Sequence, residues 1–104
     1  MYYIVLQSVM IIITQLVWDD WNEAHIECHD VTPQEVEQVC VGDPITSETY
    51  EERLRIIGPT QNGRMITVIL ASKGEGIYYP VTARPASRKE RRRYTERKGG
   101  EQAA

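Results

Sequence analysis

Apolar and polar positions divide this chain into blocks with different periods. Met1 to Val17 is the most apolar region, interrupted by Gln7, Ser8, Thr14 and Gln15. The β-branched run Ile11-Ile12-Ile13-Thr14, continued by Gln15-Leu16-Val17-Trp18, predicts one strand. Met10 is a natural start for that strand, and residues 1–9 read as an N-terminal extension. Asp19-Asp20 can cap a helix from Trp21 to about His29, with Glu23 in the first turn, where an acid suits the helix dipole. Trp18, Trp21, Ala24, Ile26 and Cys28 are candidates for its buried side. Thr32-Pro33-Gln34-Glu35 then combines an N-cap, a proline at the first helical position and the glutamate of a capping box. Val31 and Val36 bracket that cap as a hydrophobic staple. Val36, Val39 and Cys40 form a short apolar stripe, and Gly42-Asp43-Pro44 ends the helix.

The second half changes period. Ile45 to Glu52 is polar and reads as a loop or the start of a strand. Arg53-Leu54-Arg55-Ile56-Ile57-Gly58 opens with strict alternation. Asn62-Gly63 signals a hairpin, and Arg64 to Ala71 is a nearly continuous apolar strand suited to the middle of a sheet. Gly74-Glu75-Gly76 makes a second turn before a strand from Ile77 to Ala83. Pro85 biases Arg84 away from helical geometry. Ser87 and Glu90 form a capping box, so a helix begins at Arg88. Gly99-Gly100 should stop it, leaving residues 99–104 as a disordered tail. The predicted order is β-α-α-β-β-β-α, an α+β domain over residues 10–98 with helices against one face of an antiparallel sheet.

Charge sharpens this picture. The net charge of −3 hides an asymmetry: residues 1–52 hold eleven acids and no Lys or Arg, while residues 53–104 hold all twelve Lys/Arg and four acids. The halves carry −11 and +8, and the stretch from Arg84 to Lys98 alone carries +6. Either the halves attract each other within one fold, or the basic block is a site for a polyanion and the acidic face serves another partner. The apolar N-terminal region falls short of the about 20 residues of a membrane span and lacks a basic signal-peptide leader. A cytoplasmic protein without a membrane partner is therefore expected. Cys28 and Cys40 lack a CxxC spacing and read as reduced thiols. His25, Cys28, His29 and Cys40 match no standard zinc spacing, so no metal or cofactor is expected.

Three segments resemble the BrnT family of bacterial toxins. They are Trp18-Asp19-Asp20-Trp21-Asn22 with His29 before Val31-Thr32-Pro33; Arg53 through Ile57-Gly58 with Asn62-Gly63-Arg64; and Thr82-Ala83-Arg84-Pro85-Ala86-Ser87-Arg88-Lys89-Glu90-Arg91, ending in Tyr94. The resemblance spans most of residues 16–94, and the last segment is the most specific. It implies a RelE-like ribonuclease fold and the toxin of a type II toxin–antitoxin pair, which cuts RNA and blocks translation. It also implies a BrnA-type antitoxin, a DNA-binding protein, so that operator DNA is met only through the antitoxin complex, in which a toxin homodimer is a further expectation. Cys28 and Pro59 stand where the family often has basic residues, and each removes a phosphate contact. A catalytically degenerate binding module acting in operon autoregulation is the alternative.

Metal-independent RNA cleavage needs a base for the 2′-OH, cations for the phosphorane and an acid for the leaving oxygen. Arg84 is the first candidate, because arginine binds phosphate bidentately and keeps its charge. An ion pair with the acidic half is its structural alternative. Histidine titrates near neutrality, which makes His29 the candidate base or acid; it serves equally as a helix C-terminal cap. Glu90 is a third catalytic candidate and also the capping partner of Ser87. Arg53 and Arg64 flank the strands and can grip phosphates, or simply face solvent. Arg88, Lys89, Arg91 and Arg92 can hold an RNA backbone without regard to sequence, though a helix has too many faces for all of them to point one way. Tyr94 is expected to pack its helix on the sheet, and Tyr78 and Tyr79 to face opposite sides of their strand.

Overall fold

The computed structural model describes residues 2–6, 9–47 and 53–102. Expectations that fall on Met1, Gln7, Ser8, residues 48–52 and residues 103–104 lie outside the described residues. The elements run β1 Tyr2–Leu6, β2 Val9–Ile13, β3 Gln15–Leu16, α1 Asp20–Glu27, α2 Pro33–Val41, β4 Ile45–Ser47, β5 Arg53–Pro59, β6 Met65–Ser72, β7 Ile77–Pro85 and α3 Arg88–Gln102. The class is α+β. Five strands form a mixed sheet in the order β3-β7-β6-β5-β4. It is antiparallel except where β3 runs parallel to β7.

The expected single N-terminal strand is divided. β1 and β2 make a separate antiparallel hairpin, and the chain leaves it at Thr14. The Thr14 and Gln15 N–H groups both donate to the Gly76 carbonyl, at 2.8 and 3.4 Å, and Val17 N–H donates to Tyr78 O at 2.9 Å. These bonds draw residues 15–16 onto the outer edge of β7. A continuous β-branched run carries no mark of that change of partner.

The helix starts follow the local chemistry. Asp19 caps α1: its carboxylate accepts from Asn22 N–H at 2.9 Å, and Asn22 Oδ1 accepts from Asp19 N–H at 2.8 Å. Thr32 and Glu35 close the expected box at α2. Helix α1 ends at Glu27, short of His29. Asp30 takes a φ of 62°, and Val31 N–H bonds back to Ile26 O at 3.1 Å. Aspartate tolerates this left-handed geometry better than most residues.

Helices cover both faces of the sheet, where one face was expected. On one side Ile56, Ile66, Val68, Leu70 and Ala83 pack with Ile26, Val31, Val36, Val39 and Cys40 of the α1–α2 layer. On the other, Ile45, Ile57 and Ala86 pack with Met65 and Tyr94, which seats α3 on that face. Ile56 and Ile57 show the strand period directly, one in each cluster. The staple valines Val31 and Val36 are both in the larger core.

The buried side of α1 differs from expectation. Trp21 is 58% exposed, and Ala24 and Cys28 are exposed. Ile26 faces inward as expected, and its inward neighbour, four residues back, is Asn22. Asn22 is buried because its Nδ2 donates to Val17 O at 3.0 Å and Pro80 O at 3.1 Å, which ties α1 to β7.

Helix α3 also runs through Gly99-Gly100, which were expected to stop it, and reaches Gln102. A glycine inside a helix costs only about 1 kcal/mol, and this helix is anchored just before it. Arg97 Nη1 donates to Thr46 O at 3.3 Å, and Lys98 Nζ meets the Asp43 carboxylate at 2.6 Å. Among the described residues no helix is long and apolar enough to cross a membrane.

A candidate anion-binding cleft between the sheet and the last helix

Strand alternation puts Arg53, Arg55 and Ile57 on one face of β5. Across the sheet, Ile57 pairs with Thr67 and Thr67 with Arg84. Helix α3 packs on Ile57 through Tyr94, and the Arg55 and Arg84 side chains on the same face stay 32% and 40% exposed.

Glu90 lies where helix and sheet meet, and its side chain is only 11% exposed. Arg84 donates to it through Nη1 at 2.7 Å and Nη2 at 2.9 Å. Thr67 Oγ1 donates at 2.9 Å and Ser87 N–H at 2.8 Å. Arg55 Nη1 stands 3.7 Å away. Three segments distant in sequence thus converge on one carboxylate. Burial pushes the Glu90 pKa up, but the bonds from Arg84, the Ser87 N–H and Thr67 outweigh it and hold the pKa at about 2. The bond to Glu90 in turn raises the Arg84 pKa against the opposing effect of burial.

A cleft of about 170 Å³ opens beside this carboxylate, lined by Arg55, Ile57, Ser87, Lys89, Glu90 and Arg93. The Arg55 Nε is buried and has no hydrogen-bond partner among the described residues. The Arg55 guanidinium and the Lys89 and Arg93 side chains make the lining of this cleft predominantly cationic.

The expected site residues separate into two groups. Glu90 and Lys89 line the cleft, Arg84 is joined to it through Glu90, and Arg53 lies exposed on the same face of β5. Arg88 and Arg92 are exposed along α3. Arg91 turns back, its Nη1 donating to Ala86 O at 2.8 Å, and so braces the helix start.

Arg64 and His29 are elsewhere. Arg64 Nη1 donates to both Glu35 carboxylate oxygens, at 3.2 and 3.0 Å, on the α2 side of the sheet. Burial raises the Glu35 pKa, and the bonds from Thr32 and Arg64 outweigh it, leaving the pKa lowered. His29 lies exposed in the turn after α1, its ring edge-on to His25 at 5.3 Å, while His25 stacks on Trp21 at 4.9 Å. Ile26 of α1 packs with Ala83. Ala83 and Arg84 point to opposite faces, so the sheet lies between the α1 layer and the cleft.

Tyr94 packs in the smaller cluster as expected, and its hydroxyl donates to Asp43 O at 2.8 Å. Tyr78 packs against the larger core, while the Tyr79 hydroxyl donates to the Asp19 carboxylate at 3.0 Å. Three residues had not been singled out: Arg55 and Arg93, which line the cleft, and Thr67, which donates to Glu90. The Arg53-x-Arg55 spacing is a usable signal for the first, and Lys89-x-x-x-Arg93, one helical turn, for the third. Thr67 is identified only by the β6–β7 register.

Among the described residues no group of three or more His, Cys, Asp or Glu side chains gathers as metal ligands. Comparison of this chain with protein-family models, with curated proteins and with solved structures found no match.

Proposed function

We propose that this chain is an RNA-directed toxin of the BrnT type, a metal-independent endoribonuclease whose working surface is the cleft between α3 and the sheet. One observation carries the reading: Arg55, Lys89 and Arg93 line one cleft between β5 and α3, and Arg84 is bound to the Glu90 carboxylate on its wall. Arginine forks match phosphate oxygens, and fixed cations act most strongly on the charge that develops in a phosphorane.

In such a reaction a base removes the proton of the 2′-OH and the oxygen attacks phosphorus. The bond to the 5′ oxygen breaks, and that oxygen takes a proton. The products are a 2′,3′-cyclic phosphate and a 5′-hydroxyl. Arg84 and Arg55 are assigned to the phosphorane and Lys89 and Arg93 to the flanking backbone. Glu90 is the carboxylate within reach of the reacting phosphate. His29, on the opposite layer, is assigned no role in the cleft.

The sequence resemblance supports a cytoplasmic toxin held by a BrnA-type antitoxin, with an acidic segment of the partner laid over the same arginines. A second reading, a non-cleaving RNA-binding module, is favoured by the position of His29 and by the low basicity of a carboxylate whose pKa is about 2. The test is inducible expression of the full chain without antitoxin, wild type beside Arg84→Ala, scoring growth and total RNA integrity. Arrest with RNA breakdown in the wild type alone is the expected result. Soluble, folded protein with intact RNA in both cultures would overturn the cleavage reading in favour of the binding module.

A further inference from the structure

The Glu90 carboxylate is held as a bound anion would be. It takes both ends of the Arg84 fork, the Thr67 hydroxyl and the Ser87 N–H at the start of α3, with Arg55 close by. Each of these groups is a standard phosphate donor, and a helix start adds its own partial positive charge. Yet the cleft alongside is open, and the buried Arg55 Nε has no partner.

We infer that Glu90 occupies the place of a substrate phosphate, as an internal latch, and that an RNA phosphodiester displaces it from Arg84, Thr67 and the Ser87 N–H. This rests on the reading of the cleft as an RNA site. Two consequences follow. Binding is weaker than the cluster of cations would otherwise allow, because every phosphate must first compete with a tethered carboxylate. Once displaced, Glu90 loses the guanidinium that suppresses its basicity and stands beside the incoming ribose. The latch therefore keeps Arg84 satisfied when no RNA is bound and supplies a stronger base only when one is.

The test compares wild type, Glu90→Gln, Glu96→Gln and the double variant Glu90→Gln/Arg84→Ala. Fluorescence anisotropy with a short labelled single-stranded RNA measures binding, and thermal melting with inorganic phosphate reports the anion site by itself. Glutamine keeps the capping box, so α3 retains its start. Glu96→Gln removes the same charge from an exposed position of α3 and controls for simple electrostatics. Glu90→Gln is expected to bind RNA about tenfold tighter, the scale of one charge-assisted bond freed from an internal competitor. Glu96→Gln should change binding less than about twofold, and the double variant should lose the gain.

Equal effects of Glu90→Gln and Glu96→Gln would overturn the latch while leaving the RNA reading in place. Stabilisation of Glu90→Gln by phosphate, with no variant binding RNA, would keep the latch and overturn the RNA reading. A Glu90→Gln protein that neither binds RNA more tightly nor gains phosphate stabilisation would remove the latch altogether.

Discussion

Glu90→Gln replaces a carboxylate held by Arg84, Thr67 and the Ser87 N–H with an amide that cannot titrate, and the acid limb of the stability curve reads out the difference. In the native protein the Glu90 pKa lies at about 2, against an ordinary value of 4.5. Taken in full, a shift of that size corresponds to roughly 3 kcal/mol at about 1.4 kcal/mol per unit. Arg84 and Arg55 are 40% and 32% exposed, and solvent screening reduces the effect to about 1–2 kcal/mol. Because the folded pKa is depressed, this contribution is fully present above pH 4.5 and is lost as the pH falls toward about 2. The glutamine variant lacks it at every pH. The gap between the two proteins should therefore be about 1–2 kcal/mol at neutral pH and close to zero near pH 2. Urea unfolding followed by the fluorescence of Trp18 and Trp21, repeated from neutral to strongly acid pH, measures it. Asp19 and Glu35, whose pKa values are also lowered, titrate in both proteins and cancel in the comparison. A gap that stays constant across the whole range would refute the reasoning, since it would mean that the charge of Glu90 contributes nothing to the fold.

Other predictions draw on different parts of the molecule. Asn22→Ala leaves Val17 O, Pro80 O and Asp19 N–H without their partner; the expected loss is roughly 3 kcal/mol by urea unfolding, and a loss below about 1 kcal/mol would contradict the buried-amide account. Gly58→Ala places a Cβ 2.9 Å from Pro44 Cα and Cβ and 3.3 Å from Val39 Cγ1, so stability should fall by about 1–3 kcal/mol while RNA affinity stays unchanged. Cys28 is exposed, whereas burial pushes the Cys40 thiol up to about 12. One thiol should react with a disulfide reagent in native buffer, and the second only on unfolding; two fast thiols would show that the core around Cys40 opens. Arg55→Ala should weaken RNA binding about tenfold and flatten its salt dependence. Arg64→Ala, on the α2 side of the sheet, should change binding less than about twofold, and equal effects at the two positions would place the RNA elsewhere.

Much of the fold was legible in local patterns. The capping residues Thr32-Pro33-Glu35 and Ser87-Glu90 act within four positions of themselves, and Asn62-Gly63 needs only its own turn, where Gly63 takes a φ of 85°. Such signals survive in any tertiary setting, so the starts of α2 and α3 and the β5–β6 hairpin could be placed from the chain alone. At α1 the acidic cap was legible, but the partner closing the box is Asn22. That same residue is the least expected member of the core, because its burial depends on carbonyls of Val17 and Pro80 that only the folded β7 presents.

The candidate site divides in the same way. Sequence alone determined the basic second half and the capping box that aims Glu90 back at its own helix start, whereas the strand before it, expected to end at Arg84, runs on to Pro85 because Arg84 and Pro85 still pair with Thr67 and Ile66. Tertiary structure decided that Glu90 also meets Arg84, Thr67 and Arg55, that α3 lies on the face opposite α1 and α2, and that Arg64 and His29 fall outside the cleft. The physical reason is range. Capping and turn formation are settled by neighbours a few residues apart, whereas the face a side chain occupies is set by strand register, and a one-residue shift moves every side chain to the other side.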